Sequence, residues 1–239
     1  MADVAIEKYI ELYNKSASID AIKPLDNQTY KVFKASGVDI RITNRTQVYE
    51  DPMSFQKIKH FISKHQYFYM IPVTTIKGTI VGFILRNVIG KSDYSTISRT
   101  FLDYKKQVPL MFGFDSSFKT FDNSDKPHPI IVCEGCKDCL MLKRFYPYVV
   151  ANNTSSMGIN APILRNLSNR FLLAYDNDKA GKEGMDKDKK VLRTLGAYAE
   201  ILELDTRFKD CADYEGHPVE LKQLIERIKG HLRKLSRLY

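Results

Sequence analysis

The chain has 239 residues and a formal net charge of +9, with 44% hydrophobic and 27% charged residues, a composition that excludes wholesale disorder. It contains no apolar run of about 18 residues, so no membrane-spanning helix is expected. The N-terminal sequence carries acids and lacks a basic start followed by an apolar core, which excludes a typical secretory signal.

The N-terminal half is mixed in character. Apolar residues at helical spacing predict a short amphipathic helix over residues 3–15, and a second helical pattern lies near 54–64. Residues 67–86 are rich in β-branched and aromatic residues around Lys77-Gly78, which predicts a β-hairpin. Residues 115–129 are polar and contain two prolines, as expected of a linker.

Strands alternate regularly with helices from residue 130 onward. This alternation predicts a parallel sheet with right-handed crossovers. The strands are expected at 130–133, 148–151, 171–175 and 198–204, and the helices at 136–146, 160–168 and 179–195. A last helix is predicted over 218–236, with Val219, Leu221, Leu224, Ile225, Ile228, Leu232 and Leu235 on one stripe.

These patterns predict an α/β protein in three parts. Residues 1–127 form a basic α+β part with a net charge of +5, and residues 128–216 form a neutral parallel-sheet domain. Residues 217–239 form a basic amphipathic helix with a net charge of +4. Basic flanks suggest a polyanionic partner, because neutralising phosphates releases counterions, although a solvated basic surface has the same charge.

Acidic residues follow the predicted strands of the second part. In open α/β sheets the ligand site lies beyond the carboxyl ends of the strands, so these acids are expected to converge at one edge. They are Glu134 and Asp138 after the first strand, Asp176 and Asp178 after the third, and Asp210 and Asp213 after the fourth.

Crowded carboxylates repel one another, and a divalent cation relieves that repulsion. Hard oxygen ligands suit Mg²⁺, which recruits phosphate oxygens and is typical of phosphoryl or nucleotidyl transfer. The alternative for Asp176 and Asp178 is that they only cap the helix that starts near residue 179. The acids at two further strand ends favour the metal site.

This combination resembles the TOPRIM domain of primases, topoisomerases and related nucleases, over about residues 129–215. IIVCEGCKD is similar to the strand-Glu-Gly-x-x-Asp start of the family, and VVANNTSS stands where a valine-alanine-x-glycine-threonine turn is usual. LLAYDNDKAG and KDCADY are similar to the Asp-x-Asp and lysine-aspartate-x-x-aspartate segments of primases. Asn153 departs from the family pattern, which has glycine there, so a turn of different shape is expected.

The resemblance implies roles for these acids. Glu134 would lie nearest the reacting 3′-hydroxyl, with Glu134, Asp176 and Asp178 as the catalytic set on Mg²⁺ or Mn²⁺. Asp210 and Asp213 would support the metals, and Asp138 would be a further ligand or lie just behind one. Lys179 and Lys182, at the start of the following helix, would reach the triphosphate, although either could equally belong to a solvated face.

The hairpin and the following KKQVPLMFGF segment resemble the catalytic core of DnaG-type primases, in which a basic α/β subdomain precedes TOPRIM and guides the template. This resemblance implies that a set of basic residues contacts template or nucleotide phosphates. The set consists of Arg86, Lys91, Arg99, Lys105 and Lys106.

Two features common near such primases are missing from the sequence. No paired Cys/His spacing of a zinc ribbon occurs before residue 130, and Gly90-Lys91-Ser92 lacks the first glycine of a Walker A loop. Cys133 and Cys136 have C-x-x-C spacing, but the first is expected in a buried strand and the second on a helix. Neither a zinc site nor a fused helicase is therefore expected.

The sequence thus predicts a compact DNA primase that makes short RNA primers from ribonucleoside triphosphates on single-stranded DNA. The resemblance further implies a replicative helicase as partner, no membrane, and the cytoplasm of a bacterial host if the protein is phage-encoded. The alternatives are a TOPRIM-type metal-dependent nuclease, or a non-catalytic nucleic-acid-binding module of a replisome.

Overall fold

The computed structural model describes residues 2–21, 27–49, 61–75, 77–89, 94–98, 111–115, 118, 128–158 and 160–238. These residues divide into two compact units, Met1–Leu110 and Met111–Tyr239. The division falls ahead of the expected linker at 115–129. Phe118, within that segment, is buried in the second unit and packs edge-on against Phe114 and Tyr148. The predicted three-part division stays a prediction.

The first unit is built on an antiparallel sheet of five strands in the order β1-β2-β3-β4-β5. The predicted hairpin is confirmed as β3 and β4, joined by a turn in which Gly78 has a φ of +80°. The strands are β1 (Ala17–Ser18), β2 (Arg41–Asn44), β3 (Tyr67–Thr74), β4 (Ile80–Asn87) and β5 (Tyr94–Ser98). The helices are α1 (Ala2–Lys15), α2 (Asn27–Ala35) and α3 (Arg45–Tyr49), with a 3₁₀ turn at Ile19–Ala21 and helical residues at 61–64.

The central strand β3 is covered on both faces. Successive side chains of a strand point to opposite faces, so Phe68 and Met70 share one face and Tyr69 lies on the other. Phe68 and Met70 belong to a buried cluster with Tyr9 of α1, while Tyr69 meets Phe33 of α2 edge-on. This double burial explains the almost continuous apolar run in the sequence of β3.

The second unit is built on a parallel sheet of four strands in the order β7-β6-β8-β9. The predicted alternation of strands and helices is confirmed, with most element boundaries within a few residues of those expected. The strands are β6 (Ile130–Cys133), β7 (Val149–Ala151), β8 (Arg170–Ala174) and β9 (Tyr198–Ile201). The helices are α4 (Cys136–Lys143), α5 (Asn160–Leu167), α6 (Lys179–Thr194) and α7 (Pro218–Ser236), with a 3₁₀ helix at Cys211–Gly216.

Helix α7 packs on this unit through its apolar stripe and through buried charged groups. Arg170 donates hydrogen bonds to the carbonyls of Leu235 and Ser236, which satisfies acceptors that a helix end leaves open. Glu200 of β9 binds His231 and Lys234 of the helix. Val219, which the sequence placed on the stripe, is 65% exposed because it lies in the first turn, ahead of the residues that pack.

Candidate active site

Three loops at the carboxyl edge of the parallel sheet bring acidic residues together, as the order of the strands predicts. Glu134 directly follows β6, and Asp176 follows β8 after one intervening residue. The backbone N–H of Asp176 donates to Oε1 of Glu134 at 3.1 Å, which ties the two loops to each other. Asn177 then binds the third loop by donating its side-chain amide to the carbonyls of Asp205 and Phe208.

Glu134 sits in a partly buried position beside other carboxylates. Burial, together with the negative charge of Asp176, raises the pKa of Glu134 to about 7. A carboxylate in such a place is stabilised by a cation, so its environment suits a group that works beside a bound metal. Its Oε2 has no hydrogen-bond or ion-pair partner within the part of the chain that the structure describes.

Asp176 and Asp178 share a lysine. The Nζ of Lys209 lies 2.8 Å from Oδ2 of Asp176 and 3.9 Å from Oδ2 of Asp178, and its ammonium marks where a positive charge between the two is favourable. Hydrogen bonding to Asp176 raises the pKa of Lys209. The other oxygen of Asp178 caps α6 by accepting from the N–H of Gly181, so Asp178 both caps the helix and faces the acidic cluster.

Gly181 has no room for a side chain. A Cβ there would lie 2.1 Å from the carbonyl oxygen of Asp176 and 2.7 Å from Oε1 of Glu134. The glycine after Lys179-Ala180 therefore lets the start of α6 approach both acids. This close approach gives a physical reason for the Ala-Gly pair that trails the Asp-x-Asp segment.

Asp210 and Asp213 form a second acidic pair on the third loop. Their side chains and backbone N–H groups bind each other reciprocally as a capping box at the start of the 3₁₀ helix. Lys137, in the first turn of α4, lies 3.3 Å from Oδ2 of Asp210 and 3.7 Å from Oδ1 of Asp213. The pKa of Asp210 is raised by burial, against which Lys137 acts.

Asp138 lies behind this second pair. It is buried, and its Oδ1 accepts from the N–H of Ala212 at 2.9 Å, which joins α4 to the 3₁₀ helix. Burial raises the pKa of Asp138 well above its usual range, and Asp210 adds to that shift. Its contacts are those of a residue that positions the third loop.

The loop after β7 is bound to α6 by a buried carboxylate. Asp188 accepts from the hydroxyls of Ser156 and Tyr175 and from the N–H of Met157. Gly184 makes the contact tight, since a Cβ there would lie 1.7 Å from the carbonyl oxygen of Ser155. The sequence analysis did not single out Asp188, because its helical spacing alone does not distinguish it from the exposed acids of α6.

Asn153 occupies the position where the family resemblance led us to expect glycine. Its φ is 56°, and it is the one non-glycine residue of the described chain in the left-handed region. Asparagine tolerates this conformation better than most residues, so the substitution keeps a glycine-like backbone. The N–H of Asn153 donates to the carbonyl of Glu134 at 2.7 Å, which holds the turn beside the acidic cluster.

The structure describes only some of the basic residues that were predicted to bind phosphates. Arg86 lies on β4 and is partly exposed, whereas Lys91, Arg99, Lys105 and Lys106 lie outside the described residues. Lys179 and Lys182 are exposed in the first turn of α6, and Lys179 faces Glu183 at 3.8 Å. Lys182 also lines a cavity of about 400 Å³ together with Asn177 and Thr206.

The ligand atoms available at this site are carboxylate oxygens. Carboxylate oxygens are the ligands that Mg²⁺ and Mn²⁺ prefer, and Lys209 already places a cation between Asp176 and Asp178. In the described residues no group of three His, Cys, Asp or Glu side chains is preassembled around a metal position. The carboxylates are therefore suitable ligands for a hard cation. For Asp176 and Asp178 to bind one, Lys209 has to move away.

Cys133 lies in the buried strand β6 and Cys136 on the following helix α4, as the sequence predicted. Cys133, Cys136, Cys139 and Cys211 are all buried with free thiols. No helix among the residues that the structure describes is long and apolar enough to cross a membrane.

Comparison with known proteins identifies the second unit. Residues 131–215 match the model of a family described as Toprim-like. A sequence search against curated proteins gave no significant match. The matched segment contains Glu134, Asp176, Asp178, Asp210 and Asp213.

Solved structures extend the likeness beyond that segment. The RNA polymerase domain of Mycobacterium tuberculosis primase DnaG matches with a TM-score of 0.63 at 16% identity, over 95% of this chain and 84% of that one. A DnaG primase catalytic domain bound to single-stranded DNA matches with a TM-score of 0.57 at 14% identity, over 93% and 80%. The Aquifex aeolicus primase, with its zinc-binding and RNA polymerase domains, matches with a TM-score of 0.57 at 20% identity, over 85% of this chain.

The chain spans 56% of the length of the Aquifex structure, so activity and partners of that whole protein do not transfer with the fold. The likeness concerns the fold, which in this chain consists of an antiparallel sheet in the first unit and a parallel sheet in the second. Residues 131–215 are therefore similar to Toprim-like domains, and the chain has the fold of DnaG-type primase catalytic cores.

Proposed function

We propose that this protein is a DNA primase that synthesises short RNA primers on single-stranded DNA in a reaction that depends on a divalent metal. The observation that supports it most strongly is the meeting of Glu134, Asp176 and Asp178 at the carboxyl edge of the Toprim-like sheet. The primase-core fold over most of the chain favours primer synthesis among the reactions of Toprim-type sites.

Glu134, Asp176 and Asp178 would hold the metal, for which Mg²⁺ and Mn²⁺ are the candidates. When bound, such a metal lowers the pKa of an attacking hydroxyl and offsets charge on a pyrophosphate leaving group. Glu134 would lie nearest the 3′-hydroxyl of the growing primer, as the resemblance to primases implies. Lys209 would exchange its contact with Asp176 for one with the incoming triphosphate.

Basic residues would bind the nucleotide and the template. Lys179 and Lys182 are exposed at the N-terminal end of α6, where the helix dipole also favours phosphate. The cavity beside Lys182 offers room for part of a nucleoside triphosphate. Arg86, Lys91, Arg99, Lys105 and Lys106 would contact template phosphates, as their positive charge suggests.

A primer-synthesis assay tests this proposal. The purified chain would be incubated with mixed-sequence single-stranded DNA, labelled ATP, the other ribonucleotides, and Mg²⁺ or Mn²⁺, with and without a replicative helicase. Labelled RNA that requires template and metal would support a primase. A shortened template without labelled RNA would indicate a Toprim-type nuclease, and neither product with retained DNA binding would indicate a non-catalytic module.

A further inference from the structure

A mostly buried lysine lies beside the second acidic pair. The Lys137 side chain is only 13% exposed, and its Nζ lies 3.3 Å from Oδ2 of Asp210 and 3.7 Å from Oδ1 of Asp213. Lys137 belongs to the first turn of α4, which begins directly after Glu134-Gly135. Because the side chain is mostly buried, its ammonium would lose these two carboxylates with little water nearby to replace them.

Each of the four carboxylate oxygens of the second pair already has a partner. Oδ1 of Asp210 accepts from the N–H of Asp213, and its Oδ2 faces Lys137. Oδ2 of Asp213 accepts from the N–H groups of Lys209 and Asp210, and its Oδ1 also faces Lys137. A metal at this pair would have to displace the ammonium and compete with the capping box.

The first acidic pair is arranged differently. Lys209, which contacts Asp176 and Asp178, is 62% exposed and lies on a loop. Water can therefore solvate its ammonium when it leaves the two carboxylates. In the described part of the chain, Oδ1 of Asp176 and Oε2 of Glu134 have no partner. These two oxygens are open to a metal, and the contact that a metal would displace at this pair is that of the exposed Lys209.

We propose that Lys137 is a built-in cation that keeps divalent metals away from Asp210 and Asp213, so that metal binding is confined to Glu134, Asp176 and Asp178. This inference rests on the metal site of the proposed function. Lys137 is then a positioning residue. Its charge offsets the charges of Asp210 and Asp213 and so keeps the third loop in place, as a metal bound to these two aspartates would. Asp210 and Asp213 support the site without binding a metal.

Counting bound Mn²⁺ tests the proposal without any measurement of primer synthesis. The full chain would be titrated with MnCl₂ while calorimetry and the electron paramagnetic resonance signal of free Mn²⁺ report the number bound. The expected result is that Asp176→Asn with Asp178→Asn abolishes the Mn²⁺ bound by the wild type, whereas Asp210→Asn leaves it unchanged. Equal loss of Mn²⁺ in Asp210→Asn would overturn the proposal.

The second arm removes the lysine. Lys137→Met is expected to bind one more Mn²⁺ than the wild type, and the gain should vanish when Asp210→Asn is added. Lys137→Arg, which keeps the charge, and Lys190→Met, which removes an exposed charge of α6, should bind as the wild type does. A Lys137→Met isotherm that superimposes on that of the wild type would contradict the proposal.

Two further readouts keep the outcomes distinct. Mn²⁺ should raise the melting temperature of Lys137→Met more than that of the wild type, because a ligand that binds only the folded state stabilises it. If Lys137→Met does not fold, the Asp210→Asn titration in the wild-type background still decides. A wild type that binds no Mn²⁺ would refute the metal assignment of the proposed function, while a gained Mn²⁺ in Lys137→Met would still support the role of Lys137.

Discussion

The two lysine–aspartate groups of the second unit each contain one lysine and two aspartates, but they differ in the exposure of the lysine and in the partners of the carboxylates. Asp176 and Asp178 share a mostly exposed lysine on a loop, and they lie beside Glu134, whose Oε2 has no partner among the residues that the structure describes. Asp210 and Asp213 share a mostly buried lysine on a helix, and their oxygens are already used. Carboxylates that converge at a sheet edge are therefore not equivalent. The exposure of the neighbouring lysine decides which of them can exchange the lysine for a metal.

Removing the first pair should have the largest effect. Asp176→Asn with Asp178→Asn should lower primer synthesis by at least about 10³-fold, because a metal at a transferring phosphate stabilises the transition state by several kcal/mol. The melting temperature should not fall, since the change relieves repulsion with Glu134. Glu226→Gln, an exposed acid paired with Lys229 on α7, is the control and should keep wild-type synthesis.

The approach of α6 to the first pair gives a matched glycine test. Gly181→Ala should reduce the free energy of unfolding by about 1–3 kcal/mol, since backbone must shift to admit the Cβ. Gly230→Ala in α7 has open space around its Cβ and should instead stabilise the protein by about 0.5–1 kcal/mol. Urea denaturation measures both, and equal changes in the two variants would show that the close contact at Gly181 is not present.

The loop beside Glu134 depends on a carboxylate outside either pair. Asp188→Asn should reduce the free energy of unfolding by about 1–3 kcal/mol, because an NH₂ would replace one of the two oxygens that accept from Ser156, Met157 and Tyr175, and the charge that strengthens these buried hydrogen bonds would be lost. Asp186→Asn, two residues earlier and exposed, should change it by less than about 0.5 kcal/mol. Thermal or urea unfolding of the two variants would distinguish a buried anchor from a surface acid.

The two lysines should also differ in what they contribute to stability. Lys209→Met should change the free energy of unfolding by less than about 1 kcal/mol, as expected of an exposed ion pair. Lys137→Met should cost about 1–3 kcal/mol, because it leaves two partly buried carboxylates without their cation. A larger loss in Lys209→Met than in Lys137→Met would reverse the comparison between the pairs.

The second unit was predictable because three of its four described strands, β6, β7 and β8, are buried throughout. Runs such as 130–133 are apolar throughout, which only a covered sheet requires, and helical spacing between them is regular. The short strands β1 and β2 and the strand β5 were not predicted, because two to five residues carry too little periodicity and their pairing depends on β3 and β4. The sequence predicted the hairpin because a turn separates two long apolar runs.

The acids were predictable from their places at strand ends, since parallel topology alone brings such positions together. The lysines were not. Lys209 opens the lysine-aspartate-x-x-aspartate segment, but the resemblance assigned no role to it or to Lys137. Only the direction of α4 and the path of the third loop bring Lys137 to Asp210 and Lys209 to Asp176. Which pair of aspartates lies beside a buried lysine depends on the tertiary structure. Residue spacing in the sequence therefore cannot distinguish the two pairs.

Anomalous diffraction from crystals of the full chain grown with Mn²⁺ and a ribonucleoside triphosphate would test the central claim most directly. We predict an anomalous peak within bonding distance of Asp176 and Asp178, with Lys209 displaced and Lys137 still between Asp210 and Asp213. A peak between Asp210 and Asp213, or none beside Asp176, would contradict the assignment of the metal site.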